Sequence, residues 1–350
     1  MNSLRKILFP FSILYGLITG LRNFAFDIGI LTSKSFDIPI ILVGNLSVGG
    51  TGKSPMIEYL IGHFSDSLEM AVLSRGYGRK TKGYLLADTR STAKDIGDEP
   101  FQFHRKFPAV KVAVDEERVH GVEQLLKLKP SVDLLLMDDG FQHRYVQAGC
   151  AVLLTSYEDL YTNDLLLPAG NLRESRRGAR RAQIIVVTKC PDDISGEDRN
   201  RIIDQLKPAE DQHVFFSCIK YSSRIFDGSG HRSLEEITGS QVVLVTGIAN
   251  SLPMERFLSS RGIDFRHIKF SDHQRIDGDD MQKIKDGLDE LPADQRIVIT
   301  TEKDYVRSFI DIDLPVFYLP ISTEIKGDSE KFNELIQVYV RKNKRDSKVS

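Results

Sequence analysis

This chain of 350 residues has no strong excess of charge of either sign: 47 Lys and Arg stand against 49 Asp and Glu, for a formal net charge of −2. A dedicated nucleic-acid binder would be clearly basic, so that class is excluded. Cysteine is scarce. Cys150, Cys190 and Cys218 form no C-x-x-C pair and are odd in number, which argues against a disulfide framework or a zinc site and for a reduced, cytosolic setting. The chain also lacks a membrane span. The uncharged run Ile7–Leu21 has 15 residues, short of the roughly 20 that cross a bilayer. Pro10 and Gly16 interrupt it, and no small-residue cleavage site follows to make it a signal peptide. Arg5-Lys6 and Arg22 flank it, and residues 21–31 continue as a more amphipathic helix. The pattern suits a helix lying on a membrane surface; a helix packed on the protein's own core is the alternative.

What is present is ordinary globular composition, 41% hydrophobic and 27% charged, in a chain long enough for two domains. The most informative stretch is the apolar run Ile40–Val43 followed by Gly44-Asn-Leu-Ser-Val-Gly-Gly-Thr-Gly-Lys-Ser-Pro55. It reads as a buried strand, a glycine-rich loop and a helix start. Backbone N–H groups from Ser47, Val48, Gly49, Gly50, Thr51 and Gly52 would converge with a helix N-terminus to cradle phosphates. Lys53 adds a mobile positive charge and Ser54 a hydroxyl for Mg²⁺. Ser47 stands where G-x-x-x-x-G-K-[ST] has its first glycine, and Gly49 and Gly50 supply the backbone freedom instead.

Downstream, strands and helices alternate. Met70–Leu73 is a strand leading into Ser74-Arg75-Gly-Tyr-Gly-Arg79, either an anion clamp or a solvated basic turn. Gly97-Asp98-Glu99-Pro100 opens a helix; its acids are helix-cap residues, metal ligands or a proton acceptor, and spacing alone does not choose. The apolar strand at 132–137 ends in Asp138-Asp139, the pattern of a carboxylate facing the Mg²⁺ of a phosphate loop. Five arginines follow Leu172 within nine residues, beginning with Arg173. The strand ending Thr188-Lys189-Cys190-Pro191 has proline where the guanine-reading N-K-x-D motif has aspartate, which disfavours GTP and favours ATP.

The fold expected is α/β: a P-loop NTPase-type α/β/α domain with a mostly parallel sheet, plus a smaller C-terminal α/β domain. Boundaries are placed at 1–30 for the apolar membrane-associating region, 31–220 for the phosphate-loop domain, 221–240 for a linker, 241–335 for the smaller domain and 336–350 for a charged, disordered tail. In the second half, His273 and Lys303 lie at strand ends, where open α/β sheets bind ligands.

In order, the strings GNLSVGGTGKSP, SRGYGR, GDEP, DDGFQH, LPAGNLRES, VTKCP, FSDH and TTEKD resemble the tetraacyldisaccharide 4'-kinase family, from the apolar N-terminus to about residue 320. Ser175 takes the place of a proline in the family pattern. The resemblance implies ATP-dependent phosphorylation of an acylated glucosamine disaccharide 1-phosphate at its 4'-hydroxyl. The setting implied is the cytoplasmic face of the bacterial inner membrane, with peripheral or monotopic attachment, Mg²⁺ as cofactor and no obligate protein partner. It assigns the base to Asp98 paired with His273. Lys53 and residues 47–54 hold the phosphates, and Ser54 with one or two of Glu99, Asp138 and Asp139 hold the metal. Arg75, Arg79 and Arg173 become candidates for phosphate contacts. A membrane-associated ATPase or GTPase switch without a lipid acceptor is the competing class.

Overall fold

A computed structural model describes residues 5, 7–272, 274–292 and 296–344. Helix α1 spans Phe9–Asp27. Nine strands make the larger sheet: β1 (Ile40–Asn45), β2 (Met70–Ser74), β3 (Leu85–Leu86), β4 (Lys111–Val114), β5 (Leu134–Asp138), β6 (Cys150–Ser156), β7 (Ile184–Thr188), β8 (His213–Tyr221) and β15 (Ile321–Ile325). Their order is β15-β8-β7-β6-β1-β5-β2-β4-β3. All neighbours are parallel except the two edge pairs, β3 with β4 and β15 with β8. Strands such as Ile40–Asn45 and Leu134–Asp138 are buried along their whole length, as a parallel sheet covered on both faces requires. Separate hydrophobic clusters fill the two faces, one around Leu42, Leu73 and Met137, the other around Ile41, Val43 and Ile57.

The second sheet has the order β10-β9-β14-β13-β11-β12. It uses β9 (Arg224–Phe226), β10 (His231–Ser233), β11 (Gln241–Thr246), β12 (Asp264–Lys269), β13 (Val298–Thr301) and β14 (Val316–Leu319). Four helices matter to the site: α2 (Lys53–Phe64), α3 (Asp98–Lys106) and α4 (Arg118–Leu125) from the first half, and α5 (Glu302–Ser308) from the second. The last helix, α6, is Ser329–Asn343.

Both sheets share the chain differently from the boundaries drawn on the sequence. The stretch expected to be a linker contributes β9 and β10, a hairpin closed by Asp227, whose Oδ1 accepts the N–H groups of Ser229 and Gly230. After β14, Pro320 lets the chain leave the second sheet. Ile321–Ile325 then pairs antiparallel with β8, and Phe332, Ile336 and Val340 of α6 join the cluster around Ile57. Residues 321–343 therefore complete the first domain. The alternation of apolar and polar residues in Ile-Ser-Thr-Glu-Ile fits an edge strand, and only the non-local pairing decides which sheet it joins. Of the stretch expected to be a charged, disordered tail, residues 336–343 are helical, and Ile336 and Val340 are buried.

The phosphate loop leaves β1 where that strand lies between β5 and β6. Connections diverge on either side there, and such a switch point opens a crevice beyond the strands' carboxyl ends.

Candidate active site

Residues 47–52 join β1 to α2. Gly49 and Gly52 hold φ of +110° and +86°, backbone conformations that side chains rarely tolerate. The loop is pinned by three hydrogen bonds. Thr188 Oγ1 donates to the Thr51 carbonyl at 2.8 Å, Val48 N–H donates to Asn171 O at 2.8 Å, and Arg173 N–H donates to Leu46 O at 2.7 Å. Lys53 projects from the first turn of α2, its Nζ lying 3.4 Å from Asn45 Oδ1 and 3.7 Å from Asp139 Oδ1. Ser54 Oγ donates to Glu99 Oε1 at 3.3 Å.

Three carboxylates converge on this hydroxyl and lysine. Asp138, at the end of β5, is fully buried and accepts from Ser74 Oγ at 3.0 Å. Burial, with Glu99 and Asp139 nearby, pushes its carboxyl up to about 7. Asp139 is also burdened by burial, but its hydrogen bonds from Arg173 and the charge of Lys53 prevail and hold it below the usual range. Glu99 is held low by the Lys303 ammonium, against its own desolvation. Oxygen donors alone, on a hydroxyl and crowded acids, suit Mg²⁺, and the raised proton affinity of Asp138 is the mark of a carboxylate group short of positive charge. Ser54, Glu99, Asp138 and Asp139 thus fit the ion they are expected to hold.

The two acids that open α3 each receive a cation from α5 of the second domain. Arg307 Nε donates to Asp98 Oδ2 at 2.6 Å, and Lys303 Nζ donates to Glu99 Oε1 at 2.6 Å. Arg307 is buried and also donates from Nη1 to Asp304 Oδ1 at 3.0 Å. His273, expected to pair with Asp98, lies outside the described residues.

The arginines divide. Arg173 is committed to the loop: it reaches both oxygens of Asp139, at 3.1 and 2.7 Å, and the Asn45 carbonyl at 3.1 Å. Arg79 Nη2 donates to Glu116 Oε2 at 2.6 Å and to Gly83 O at 2.7 Å, bracing the 76–83 turn, while its buried Nε and Nη1 have no hydrogen-bond partner. Arg75 is exposed and bears on a pair of residues that sequence reasoning passed over. Arg118, at the start of α4, is only 3% exposed, yet its Nε and Nη2 have no hydrogen-bond partner. Burial lowers its guanidinium to about 10, with Arg75 adding to the effect and Asp138 opposing it. Burial, Arg118 and Arg75 also push His143 down to about 4, which leaves its imidazole neutral at physiological pH. His143 belongs to the Asp-Asp-Gly-Phe-Gln-His string, but Arg118 sits in an unremarkable helix start and had no local signal. Arg118 Nη1 donates to the Asp115 carbonyl, so a buried guanidinium with two nitrogens left unsatisfied lies within electrostatic reach of a second arginine, an arrangement that suits an anion.

Helix α1 lies over the loop that carries Arg173. Ser12 Oγ donates to Leu166 O at 3.0 Å, Tyr15 OH to Arg173 O at 2.8 Å and Asn23 Nδ2 to Glu174 Oε2 at 2.9 Å. These residues share one face. Phe11, Leu14, Ile18 and Leu21 on one stripe, with Ile13, Leu17 and Phe24 beside it, are each more than half exposed. No helix among the described residues is long and apolar enough to cross a membrane.

A family profile described as tetraacyldisaccharide-1-P 4'-kinase matches residues 4–341. The tetraacyldisaccharide 4'-kinase of Flavobacterium johnsoniae is 48% identical over 345 residues, covering 98% of this chain and 99% of its own. That of Bacteroides thetaiotaomicron is 44% identical, covering 99% of this chain and 96% of its own. The crystal structure of LpxK from Aquifex aeolicus in complex with ATP superposes with a TM-score of 0.77 at 29% identity, covering 97% of this chain and all of that one.

Proposed function

Because this chain belongs to the tetraacyldisaccharide-1-P 4'-kinase family, we infer that it transfers the γ-phosphoryl group of ATP to the 4'-hydroxyl of a tetraacyldisaccharide 1-phosphate, giving lipid IVA in lipid A biosynthesis. The observation that carries the reading is the meeting, in one cleft, of a phosphate loop with acids that each face a cation from the second domain. A nucleotide binder needs the loop; a transferase also needs a proton acceptor and charges that reach the transferring group.

Residues 47–54 bind the triphosphate through backbone N–H groups, with Lys53 on the β- and γ-phosphates. Ser54, Glu99, Asp138 and Asp139 hold Mg²⁺, which supplies charge neutralisation when bound. Asp98 accepts the proton of the 4'-hydroxyl as it attacks; among the described residues its Oδ1 has no hydrogen-bond partner, while Arg307 holds Oδ2. Arg173 positions Asp139 and the loop. Arg118, Arg75 and the neutral His143 line the place where the anionic acceptor is recognised.

The exposed apolar face of α1 meets the acyl chains and the membrane surface. Seven large apolar side chains on one helix, each more than half exposed, cost stability in water and gain it in lipid. Attachment is peripheral, on the face where ATP is available. The test is direct: purified protein with Mg-ATP and detergent-dispersed disaccharide 1-phosphate yields a 4'-phosphorylated product, and consumption of ATP indifferent to that lipid sinks the proposal.

A further inference from the structure

Beyond its pairing with Glu99, Lys303 is given no chemical step in the scheme above, and its placement is specific. It is the second residue of α5, whose start is fixed by three contacts: Asp304 N–H donates to Thr301 Oγ1 at 3.1 Å, Thr301 Oγ1 to Asp304 Oδ2 at 2.7 Å, and Gly247 N–H to Asp304 Oδ2 at 2.9 Å. From this rigid base its ammonium meets Glu99 Oε1, the same oxygen that Ser54 Oγ reaches. The separations of 2.6 and 3.3 Å keep the ammonium within about 6 Å of the hydroxyl that marks the phosphate end of the loop. Asp138 also acts on it electrostatically, which places the lysine among the acids of the site rather than at the rim.

We propose that Lys303 is a catalytic residue that the second domain delivers to the γ-phosphoryl group of the bound nucleotide. The inference rests on the kinase reading and adds a contact to it. The structure has Lys303 paired with Glu99, one of the acids assigned to the metal. Were Glu99 to ligate a divalent cation, its hold on Lys303 would weaken, and the ammonium would be free to reach the transferring phosphoryl group. Lysine suits such an exchange, being a compact point charge on a flexible stem. In the transfer, the 4'-oxygen forms a bond to the γ-phosphorus as the bond to the β,γ-bridging oxygen breaks. The electron pair leaves with ADP, and the hydroxyl proton passes to Asp98. Negative charge on the transferring group and the bridging oxygen is where a further cation from a closing domain acts.

Lys303→Met should lower kcat about 100-fold or more while changing ATP affinity by less than about threefold, since the contact is made in the transition state. Lys303→Arg should recover part of the rate. Aluminium fluoride should tighten ADP binding to the wild type and leave ADP binding to Lys303→Met unchanged. A kcat within threefold of wild type overturns the proposal. So does a fall in ATP affinity that matches the fall in rate with the fluoride effect intact, which makes Lys303 a ground-state tether. Should Lys303→Met melt early, amine acylation of the wild type decides: ADP with aluminium fluoride should shield Lys303 more than ADP alone, and equal labelling refutes the contact. If the wild type transfers no phosphate to the disaccharide, the kinase reading fails; if it does and Lys303→Met matches it, only this inference fails.

Discussion

Glu302, the neighbour of Lys303, is buried against Glu58 of α2, with Lys106 of α3 between them, 2.7 Å from Glu58 Oε2 and 3.0 Å from Glu302 Oε2. One ammonium serves two carboxylates across the domain boundary. Burial and the charge of Glu58 raise Glu302 from 4.5 to about 7, against the pull of Lys106. Lys106 itself is raised, because the two acids outweigh its desolvation. The signs differ and are compatible: the lysine gains by being charged, and the second carboxylate loses by it. At 1.36 kcal/mol per tenfold change in proton affinity, the gap from 4.5 to about 7 is worth about 3 kcal/mol. Lys106 is 30% exposed, so solvent screening removes part of this, and about 1–3 kcal/mol is the expected penalty. Below pH 4.5 the folded and unfolded chains both keep the proton and no penalty arises. From pH 4.5 to 7 the unfolded chain ionises first and stability falls; above pH 7 the loss is complete. Glu302→Gln keeps an acceptor for Lys106 and abolishes the titration. In urea unfolding followed by circular dichroism, the variant should be about 1–3 kcal/mol more stable than wild type at pH 8.5. At pH 5 the advantage should shrink to less than about 1 kcal/mol. The first-turn position favours an acid by about 0.3–1 kcal/mol, too little to reverse the sign. A variant less stable than wild type at pH 8.5, or an offset equal at the two pH values, would refute the account.

Asp98→Asn should lose most of kcat and keep ATP affinity, because the amide accepts no proton but preserves the shape of the α3 start; a matching loss of ATP binding, measured by equilibrium dialysis, would make Asp98 part of the nucleotide site instead. Leu17→Glu with Leu21→Glu puts two charges on the exposed face of α1, away from the contacts of Ser12, Tyr15 and Asn23. Co-sedimentation with lipid vesicles should fall at least tenfold with the melting temperature unchanged, and undiminished sedimentation would remove α1 as the membrane contact.

What was legible in the sequence is what adjacent residues do. The phosphate loop, the apolar strand ending in Asp138-Asp139 and the alternation of strands and helices are each written in a short window, and each element stands where expected. What was not legible depends on partners far along the chain. Ile321–Ile325 alternates as any edge strand would, and its membership of the larger sheet is fixed by pairing with residues 217–221. Arg118 carries no motif, and what marks it is burial with Nε and Nη2 unpartnered, within electrostatic reach of Arg75 and His143. Arg79 shares a glycine-rich turn with Arg75 and reads as its equal, yet Arg75 is exposed while Nη2 of Arg79 is held by Glu116 and Gly83.

Asp98 and Glu99 show how such distant partners bear on chemistry. Adjacent acids at a helix start are interchangeable by spacing, and either one can cap, ligate or accept a proton. Their partners differ in kind. Asp98 meets Arg307, a buried planar guanidinium that fixes the direction of a carboxylate and cannot give up its charge. Glu99 meets Lys303, a mobile ammonium that another cation can replace, and shares an oxygen with Ser54 of the phosphate loop. An oriented carboxylate with one oxygen engaged suits an acceptor of the hydroxyl proton. A carboxylate whose cation is exchangeable and which touches the loop's hydroxyl suits a metal ligand. Both partners come from one turn of α5, so moving the second domain away would strip the two acids together. With the domains as they meet here, Asp98 is oriented and Glu99 is compensated, as the base and metal-ligand roles proposed for them require.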